Sequence, residues 1–223
     1  MKNIKLIIFD VNQTLFHLKE LEKRFKKIGL KKELCDLWFN NVLKEGFSLG
    51  CLGIFKPFRV IGLNQLNSIL EINRVKKITK NSLYILNGFT KLKAHKDIKK
   101  SFKILKRKNI RIATLTNGHA KITKELLKRN QLFDYVDSCF SVDDVNRWKP
   151  FPEPYLNVLK HYKIKPSQSI MIASHAWDIA GAKNAGLNTA FIENYEGKFK
   201  PYYKKPDIIG KTVFEAINKI YKL

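Results

Sequence analysis

A short apolar strand that ends in an aspartate constrains this chain more than any other feature. The run from Ile4 to Phe9 has the continuous, branched apolar character of a strand buried on both faces of a parallel sheet, and Asp10 follows it. Open α/β folds bind their ligands at the carboxyl ends of such strands. The sequence therefore predicts that Asp10 lies in a ligand site, although an aspartate that only caps the next helix is the alternative.

Further polar groups follow later strands in the same way, which favours the first interpretation. A predicted strand at 110–115 and another at 169–172 each end in polar residues, and a proline-rich loop at 147–155 lies between them. The polar residues at these three places are Thr116 and Asn117, then Lys149, then Ser174, His175 and Asp178. Because strand ends meet at one edge of a parallel sheet, the polar groups that follow these two strands are expected to lie near Asp10.

The periodicity of apolar residues predicts an α/β core that a helical segment interrupts. Between the first strand and the later βα units, the predicted helices are Leu18–Ile28, Lys32–Glu45, Phe58–Glu71 and Val75–Leu86. The predicted fold is therefore a Rossmann-like, three-layer α/β core with a parallel sheet, formed by residues 1–16 and 89–223. Residues 17–88 would form an inserted helical cap.

Composition indicates a globular protein with an unusual charge. Hydrophobic residues make up 44% of the chain, and the formal net charge is +24. Such a charge favours nucleic-acid binding as a possible function. However, the lysines are spread along the chain, so a solvated basic surface is the preferred interpretation. With neither a membrane span nor a leader segment apparent, a cytoplasmic protein without membrane contacts is expected.

The motifs DVNQTL from Asp10, LTNG from Leu115, WKPFPEPY from Trp148 and SHAWD from Ser174, in this order, resemble those of the haloacid dehalogenase superfamily. The combination is most similar to its type II L-2-haloacid dehalogenases. This resemblance implies hydrolysis of short 2-haloacids to 2-hydroxy acids. The reaction would need no cofactor and would proceed through an ester on a carboxylate nucleophile.

The resemblance also implies roles for individual residues. Asp10 would be the nucleophile, Lys149 its charge partner, and His175 with Asp178 would place the hydrolytic water. The other residues implied in catalysis are Thr14 and Ser174. The residues implied in binding a small anionic substrate are Thr116, Asn117, Tyr155, Asn41, Trp177, Phe58 and Trp38. Because members of this branch are often dimers, a homodimer is also expected.

One position departs from the family pattern in a way that bears on substrate binding. The family places an arginine on a cap helix to bind the substrate carboxylate or the departing halide, and Asn41 stands there in this chain. Asn41 is expected on the helix face of Leu34, Leu37 and Trp38, directed towards the cleft between cap and core. The lost charge would weaken substrate handling about ten- to a hundredfold, unless Arg59 or a lysine replaces it.

Two alternatives remain at this stage. The first is a magnesium-dependent phosphatase of the same superfamily, which uses the same nucleophile. Against it, Asn12 stands where a general acid is needed, and Ser174 stands where an acidic metal ligand is needed. The second is a non-catalytic basic binding protein on the same scaffold, which the charge favours. The combination of Asp10, Lys149 and Asp178 argues against it.

Overall fold

The structure, a computed structural model, describes residues 3–222, which form an α/β core and a group of helices. The strands are β1 (Leu6–Phe9), β2 (Phe16–His17), β3 (Lys93–Ala94), β4 (Arg111–Thr116), β5 (Ser138–Ser141), β6 (Ser169–Ala173), β7 (Asn188–Ile192) and β8 (Ile208–Gly210). The helices are α1 (Lys19–Lys27), α2 (Glu33–Cys51), α3 (Phe58–Ile72), α4 (Ile78–Leu86), α5 (Ile98–Arg107), α6 (Ala120–Arg129), α7 (Pro152–Tyr162), α8 (Ala176–Asn184) and α9 (Val213–Tyr221).

A six-stranded parallel sheet forms the centre of the core, with strand order β5-β4-β1-β6-β7-β8. Strand β1 lies in the interior and pairs with β4 and β6. Its side chains alternate between the two faces, so that Ile7 and Phe9 pack into one apolar cluster while Leu6 and Ile8 pack into another. Burial on both faces explains the continuous apolar run. The predicted α/β fold with a parallel sheet is confirmed.

The four helices α1–α4 lie between β2 and β3 and are called the helical insertion below. Strands β2 and β3 pair in an antiparallel manner, with Phe16 opposite Ala94 and His17 opposite Lys93. The chain therefore leaves the core and returns to it at neighbouring points. The assignment of residues 17–88 to a separate cap domain stays a prediction.

Helix α2 is longer than predicted, because the glycines taken as its end lie inside it. The predicted end is Glu45, whereas the helix continues to Cys51. A Cβ atom on Gly46 would lie 2.6 Å from the Trp148 ring, and one on Gly50 would lie 2.6 Å from the Phe151 ring. These glycines therefore permit close contact between α2 and the loop that carries Lys149. This contact fixes that loop against the helical insertion.

The start of helix α4 also differs from the prediction. Helix α4 begins at Ile78 rather than Val75, because Arg74 and Lys77 adopt positive φ angles of 54° and 56° and turn the chain. Among residues 3–222, no helix is both long enough and apolar enough to cross a membrane.

Candidate active site

Asp10 lies at the carboxyl edge of the central sheet, directly after β1. Its backbone N–H donates to the carbonyl oxygen of Ile172 in β6, over 3.0 Å. The Thr14 hydroxyl donates to Asp10 Oδ2 over 2.7 Å, and Lys149 Nζ donates to Oδ1 over 2.9 Å. Both carboxylate oxygens are thus held by side chains from the loop after β1 and from the loop before α7, which keeps the Asp10 carboxylate in one orientation.

Lys149 joins two buried carboxylates and is itself completely buried. Besides Asp10, its Nζ atom contacts Asp178 Oδ2 at 2.6 Å and the carbonyl oxygen of Leu115 at 3.0 Å. Its backbone N–H donates to Asn117 Oδ1 over 2.9 Å. The ammonium group therefore uses all three of its hydrogens, and the residues after β4 fix the main chain that carries it.

These contacts determine the charge states of the buried carboxyl groups. Burial alone would raise the pKa of Asp10, but the charge of Lys149, with the contacts of His175 and Thr14, lowers it well below the usual range. Burial also favours loss of the Lys149 charge, yet the two carboxylates raise the pKa of Lys149 above its usual value. Asp10 is therefore ionised and Lys149 charged across the neutral range.

Asp178 is fully buried and has no free oxygen. Its Oδ2 atom contacts Lys149, and its Oδ1 atom accepts a hydrogen bond of 2.6 Å from the Tyr155 hydroxyl. Burial raises the pKa of Asp178, and the negative charge of Asp10 raises it further, while Lys149 opposes the shift. Asp178 thus holds Lys149 in place together with Asp10.

His175 approaches Asp10 from the other side of the carboxylate. Its Nδ1 atom lies 3.3 Å from Asp10 Oδ2, outside hydrogen-bond alignment, and has no hydrogen-bond partner among residues 3–222. Its Nε2 atom lies 2.8 Å from Gln13 Oε1. The ring packs against Phe39 and Trp177, with centroid distances of 6.4 and 5.2 Å. One ring nitrogen is therefore held by Gln13 and the other faces the carboxylate.

A small cavity of about 10 Å³ adjoins this carboxylate and is called the Asp10 cavity below. A cavity of this size holds about one water molecule. Its lining consists of Asp10, Asn12, Phe39, Leu43, Phe58, Thr116, Asn117, His175 and Trp177. Six of these come from the core and three from α2 and α3, so the cavity lies between the sheet edge and the helical insertion.

The structure brings most of the predicted site residues together, but four of them have other positions or contacts than expected. Trp38 lies inside the helical insertion, where its Nε1–H donates to the Gly62 carbonyl oxygen over 3.0 Å. Asn41 does not line the Asp10 cavity, and Leu37 on its predicted face is 50% exposed. Compared with the predicted orientation, helix α2 is rotated so that Phe39 and Leu43 face the core instead of Asn41.

Tyr155 and Ser174 are the other two corrections. Tyr155 is buried beneath Asp178 and contacts that carboxylate instead of the cavity. The Ser174 hydroxyl donates to Asn194 Oδ1 over 2.7 Å, away from Asp10. Its backbone N–H donates to Thr14 Oγ1 over 2.9 Å and so orients the threonine that binds Asp10. Ser174 therefore contacts the nucleophile through Thr14, whereas Tyr155 does so through Asp178 and Lys149.

Sequence reasoning missed Phe39, Leu43 and the site role of Gln13. Phe39 and Leu43 are four residues apart on α2, which places them on one helix face towards the core. That spacing was present in the sequence, but the arginine pattern of the family directed attention to position 41. Gln13 lies in the first motif, next to Asn12. Only the structure shows its contact with His175.

The residues at this edge do not fit a magnesium site. Mg²⁺ prefers an octahedron of anionic and neutral oxygen ligands. Here the Lys149 ammonium group lies between Asp10 and Asp178, and Ser174 replaces an acid. In residues 3–222, no group of three or more His, Cys, Asp or Glu side chains could hold a metal ion.

A protein-family model described as haloacid dehalogenase-like hydrolase matches residues 4–186. This chain is a member of that hydrolase family. It is 28% identical to (S)-2-haloacid dehalogenase 1 of Pseudomonas sp. (strain CBS-3) over 86% of each chain. It is also 25% identical to a pyrophosphatase of Bacillus cereus (strain B4264), over 92% of this chain and 91% of the other. The superfamily recognised from the motifs is confirmed.

A comparison of structures agrees with this assignment. The L-2-haloacid dehalogenase from Xanthobacter autotrophicus superposes with a TM-score of 0.86 at 19% identity, over 99% of both chains. At this identity the likeness shows the fold. The helical insertion is part of the match, because nearly the whole of each chain is covered.

Proposed function

We propose that this hydrolase releases halide from short 2-haloacids through an ester on Asp10. The observation that carries the proposal is an ionised, buried Asp10 carboxylate that is bound by Lys149 and Thr14 and faces a cavity. The first relative, a haloacid dehalogenase by name, supports the same reaction class. The substrate would be a small anion, and no cofactor would take part.

In the first step, an Asp10 oxygen attacks C2 of the substrate. The new C–O bond forms as the carbon–halogen bond breaks, and the halide leaves with the electron pair of that bond. Thr116 and Asn117, which line the cavity, would bind the substrate carboxylate. Phe58 and Trp177 would form the apolar wall around the halogen. Lys149 fixes the angle of the attacking carboxylate.

In the second step, water attacks Cγ of the Asp10 ester, and His175 accepts the proton of that water. The Nδ1 atom of His175 is suited to this role because it faces Asp10 and has no other partner among residues 3–222. Cleavage of the Cγ–O bond then releases the 2-hydroxy acid after it takes up a proton, and Asp10 is restored as a carboxylate.

Asp178 takes a different part from the one first expected. Both of its oxygens are occupied by Lys149 and Tyr155, and it does not line the Asp10 cavity. We therefore assign proton transfer to His175 alone and give Asp178 the role of positioning Lys149. This assignment follows from which group has an atom free to meet water.

Substrate entry would require the helical insertion to move. The Asp10 cavity holds about one water molecule, whereas the smallest haloacids contain five non-hydrogen atoms. A rotation that withdraws Phe39 and Phe58 from the sheet edge would admit substrate, and closure would then exclude water during displacement. A separate cap formed by residues 17–88, a homodimer and a cytoplasmic location remain predictions.

The decisive experiment is halide release from bromoacetate and both enantiomers of 2-chloropropionate, measured with EDTA present. We expect release by the wild-type protein and a loss on the order of a thousandfold or more in Asp10→Asn. The matched control is Asp134→Asn, since Asp134 is an exposed carboxylate that belongs to none of the site motifs and does not line the Asp10 cavity.

Three other outcomes would contradict the proposal. Undiminished release by Asp10→Asn would exclude Asp10 as nucleophile. Magnesium-dependent cleavage of p-nitrophenyl phosphate or pyrophosphate, without halide release, would favour the phosphatase alternative. Salt-dependent retention on DNA without either activity would favour the basic binding protein.

A further inference from the structure

A second and much larger cavity lies beside the Asp10 cavity and is called the apolar chamber below. Its volume is about 430 Å³, which falls in the range of cavities that hold whole small molecules. The lining includes Val60, Leu86, Phe89, Ile122 and Leu126, from the helical insertion, the turn after it and α6. Nothing in the two reaction steps above uses this space.

The apolar chamber and the Asp10 cavity share part of their walls. Asn12, Phe58 and Thr116 line both of them. These side chains form a wall common to the two spaces, and Phe58 belongs to the helical insertion that substrate entry must displace. A molecule whose reactive carbon meets Asp10 can therefore extend into the apolar chamber past Asn12 and Phe58.

The chemistry of a 2-haloacid determines which part of it would occupy this space. Its carboxylate and halogen are both attached to C2, the carbon that Asp10 attacks, so only the remaining substituent of C2 can extend away. The apolar chamber is lined mainly by aliphatic and aromatic side chains. Its charged side chains are Arg59 and Lys121, which are exposed to solvent, and Asp143, which is half-buried and follows β5. A hydrocarbon substituent matches the interior.

We propose that the apolar chamber is a binding subsite for the hydrocarbon chain of a longer 2-haloacid, so that the preferred substrates carry an alkyl tail. This proposal rests on the proposed function at Asp10 and specifies its substrate class. Each methylene group that leaves water for the chamber should raise kcat/KM about three- to fourfold, until the space is filled. Without the subsite, kcat/KM would be flat or would fall with chain length.

The test is the kcat/KM of halide release for the (S)-2-bromo derivatives of propionate, butanoate, hexanoate and octanoate. All four react at a secondary carbon, which keeps intrinsic reactivity nearly constant. Val60→Trp would fill the apolar chamber from α3, where Val60 is 44% exposed and tolerates a larger side chain. Ile72→Trp on the same helix is the matched control, since Ile72 is 80% exposed and lies outside the chamber.

We expect the wild-type protein and Ile72→Trp to favour hexanoate and octanoate over propionate by tenfold or more. Val60→Trp should abolish that preference and leave the propionate value within about twofold of wild type. A flat or falling series in the wild-type protein, with halide released throughout, would overturn the subsite and leave the proposed function standing. The same holds if Val60→Trp and Ile72→Trp give equal profiles.

A direct binding measurement separates this inference from the reaction itself. Octanoate and acetate, neither of which carries a halogen, would be titrated into the wild-type protein and Val60→Trp by calorimetry. Tighter binding of octanoate that disappears in Val60→Trp supports the subsite even if no bromo acid releases halide, in which case only the proposed reaction fails. Equal, undetectable binding of both acids together with no halide release would overturn the subsite as well.

Discussion

The two sides of the Asp10 cavity are built in different ways. The core side, called the polar floor below, consists of Asp10, Thr14, Asn117, Lys149, Tyr155 and Asp178, joined by hydrogen bonds mostly between 2.6 and 3.0 Å. The other part of the lining, called the apolar wall, consists of Phe39, Leu43 and Phe58 from the helical insertion and Trp177 from α8 of the core. Hydrogen bonds are directional, so they fix the orientation of the side chains in the polar floor. The positions of the side chains in the apolar wall depend on packing alone.

This difference indicates how function is divided. Charge states and attack angles depend on the polar floor, so its substitutions should change the chemistry by large factors. Substrate size depends on the apolar wall and the chamber beyond it, where changes should be graded. His175 belongs to both sides, because it contacts Asp10 and packs between Phe39 and Trp177.

The largest effect is expected from Lys149→Met. Removing the ammonium group leaves Asp10 and Asp178 buried without their shared cation, which should lower activity by a thousandfold or more and the free energy of unfolding by about 3–5 kcal/mol. Urea unfolding and halide release measure the two effects. As a control, Lys183→Met breaks the partly exposed ion pair with Asp207 and should lower the free energy of unfolding by less than about 1 kcal/mol.

The pH dependence of Lys149→Met gives a second measure of the same substitution. In wild type, the folded-state pKa of Asp10 lies below its unfolded value, so this carboxylate adds stability above pH 4 and loses it as the pH falls. Without Lys149, burial would instead raise the folded-state pKa, and stability would be lost as the pH rises above about 4. The stability difference between the two proteins should therefore grow from pH 4 to pH 7; a constant difference would contradict the ion pair.

The next effect concerns the two steps of the reaction. His175→Gln should leave displacement of halide nearly intact but slow ester hydrolysis about a hundredfold or more, because Nδ1 no longer accepts the proton of water. Rapid mixing with bromoacetate should then give one halide per protein in a burst, and mass spectrometry should detect the ester on Asp10. Equal slowing of both steps would contradict the assigned role.

Gln13→Leu tests whether the contact with His175 Nε2 matters for that role. Loss of the 2.8 Å contact frees the imidazole ring to rotate, so ester hydrolysis should slow about tenfold, with displacement unchanged. Gln131→Leu is a close control, because Gln131 is exposed and has a φ of 55°, near the 64° of Gln13. If both variants slow ester hydrolysis equally, the cause is backbone strain at a residue with a positive φ angle, and the contact between Gln13 and His175 does not matter.

The polar floor was largely predictable from the sequence, and the apolar wall was not. Asp10, Asn117 and Asp178 follow strand ends or their adjoining turns, and a parallel sheet brings such positions to one edge whatever the details of packing. The wall depends on the rotation of α2, where an error of two residues replaces Phe39 by Asn41. Because Gly46 and Gly50 make contacts across to Trp148 and Phe151, that rotation is fixed by tertiary packing, which local periodicity does not contain.

A smaller effect is expected from Tyr155→Phe, which changes the residue that donates to Asp178 in the polar floor. The substitution leaves Asp178 Oδ1 buried without its donor, which should lower the free energy of unfolding by about 1–3 kcal/mol and activity about tenfold through Lys149. Tyr221→Phe is the control, since the Tyr221 hydroxyl has no partner among the described residues and burial raises its pKa to about 12. That change should leave stability and activity nearly unaltered.

The smallest effect is expected from Asn41→Ala. Asn41 stands where the family has an arginine, yet it lines neither the Asp10 cavity nor the apolar chamber. Its removal should change kcat/KM for 2-bromopropionate by less than about twofold, whereas Leu43→Ala on the same helix enlarges the cavity and should change it more. A tenfold loss in Asn41→Ala would show that α2 rotates when substrate binds and brings position 41 to the anion. Helix α2 would then contribute to anion binding as well as to the apolar wall.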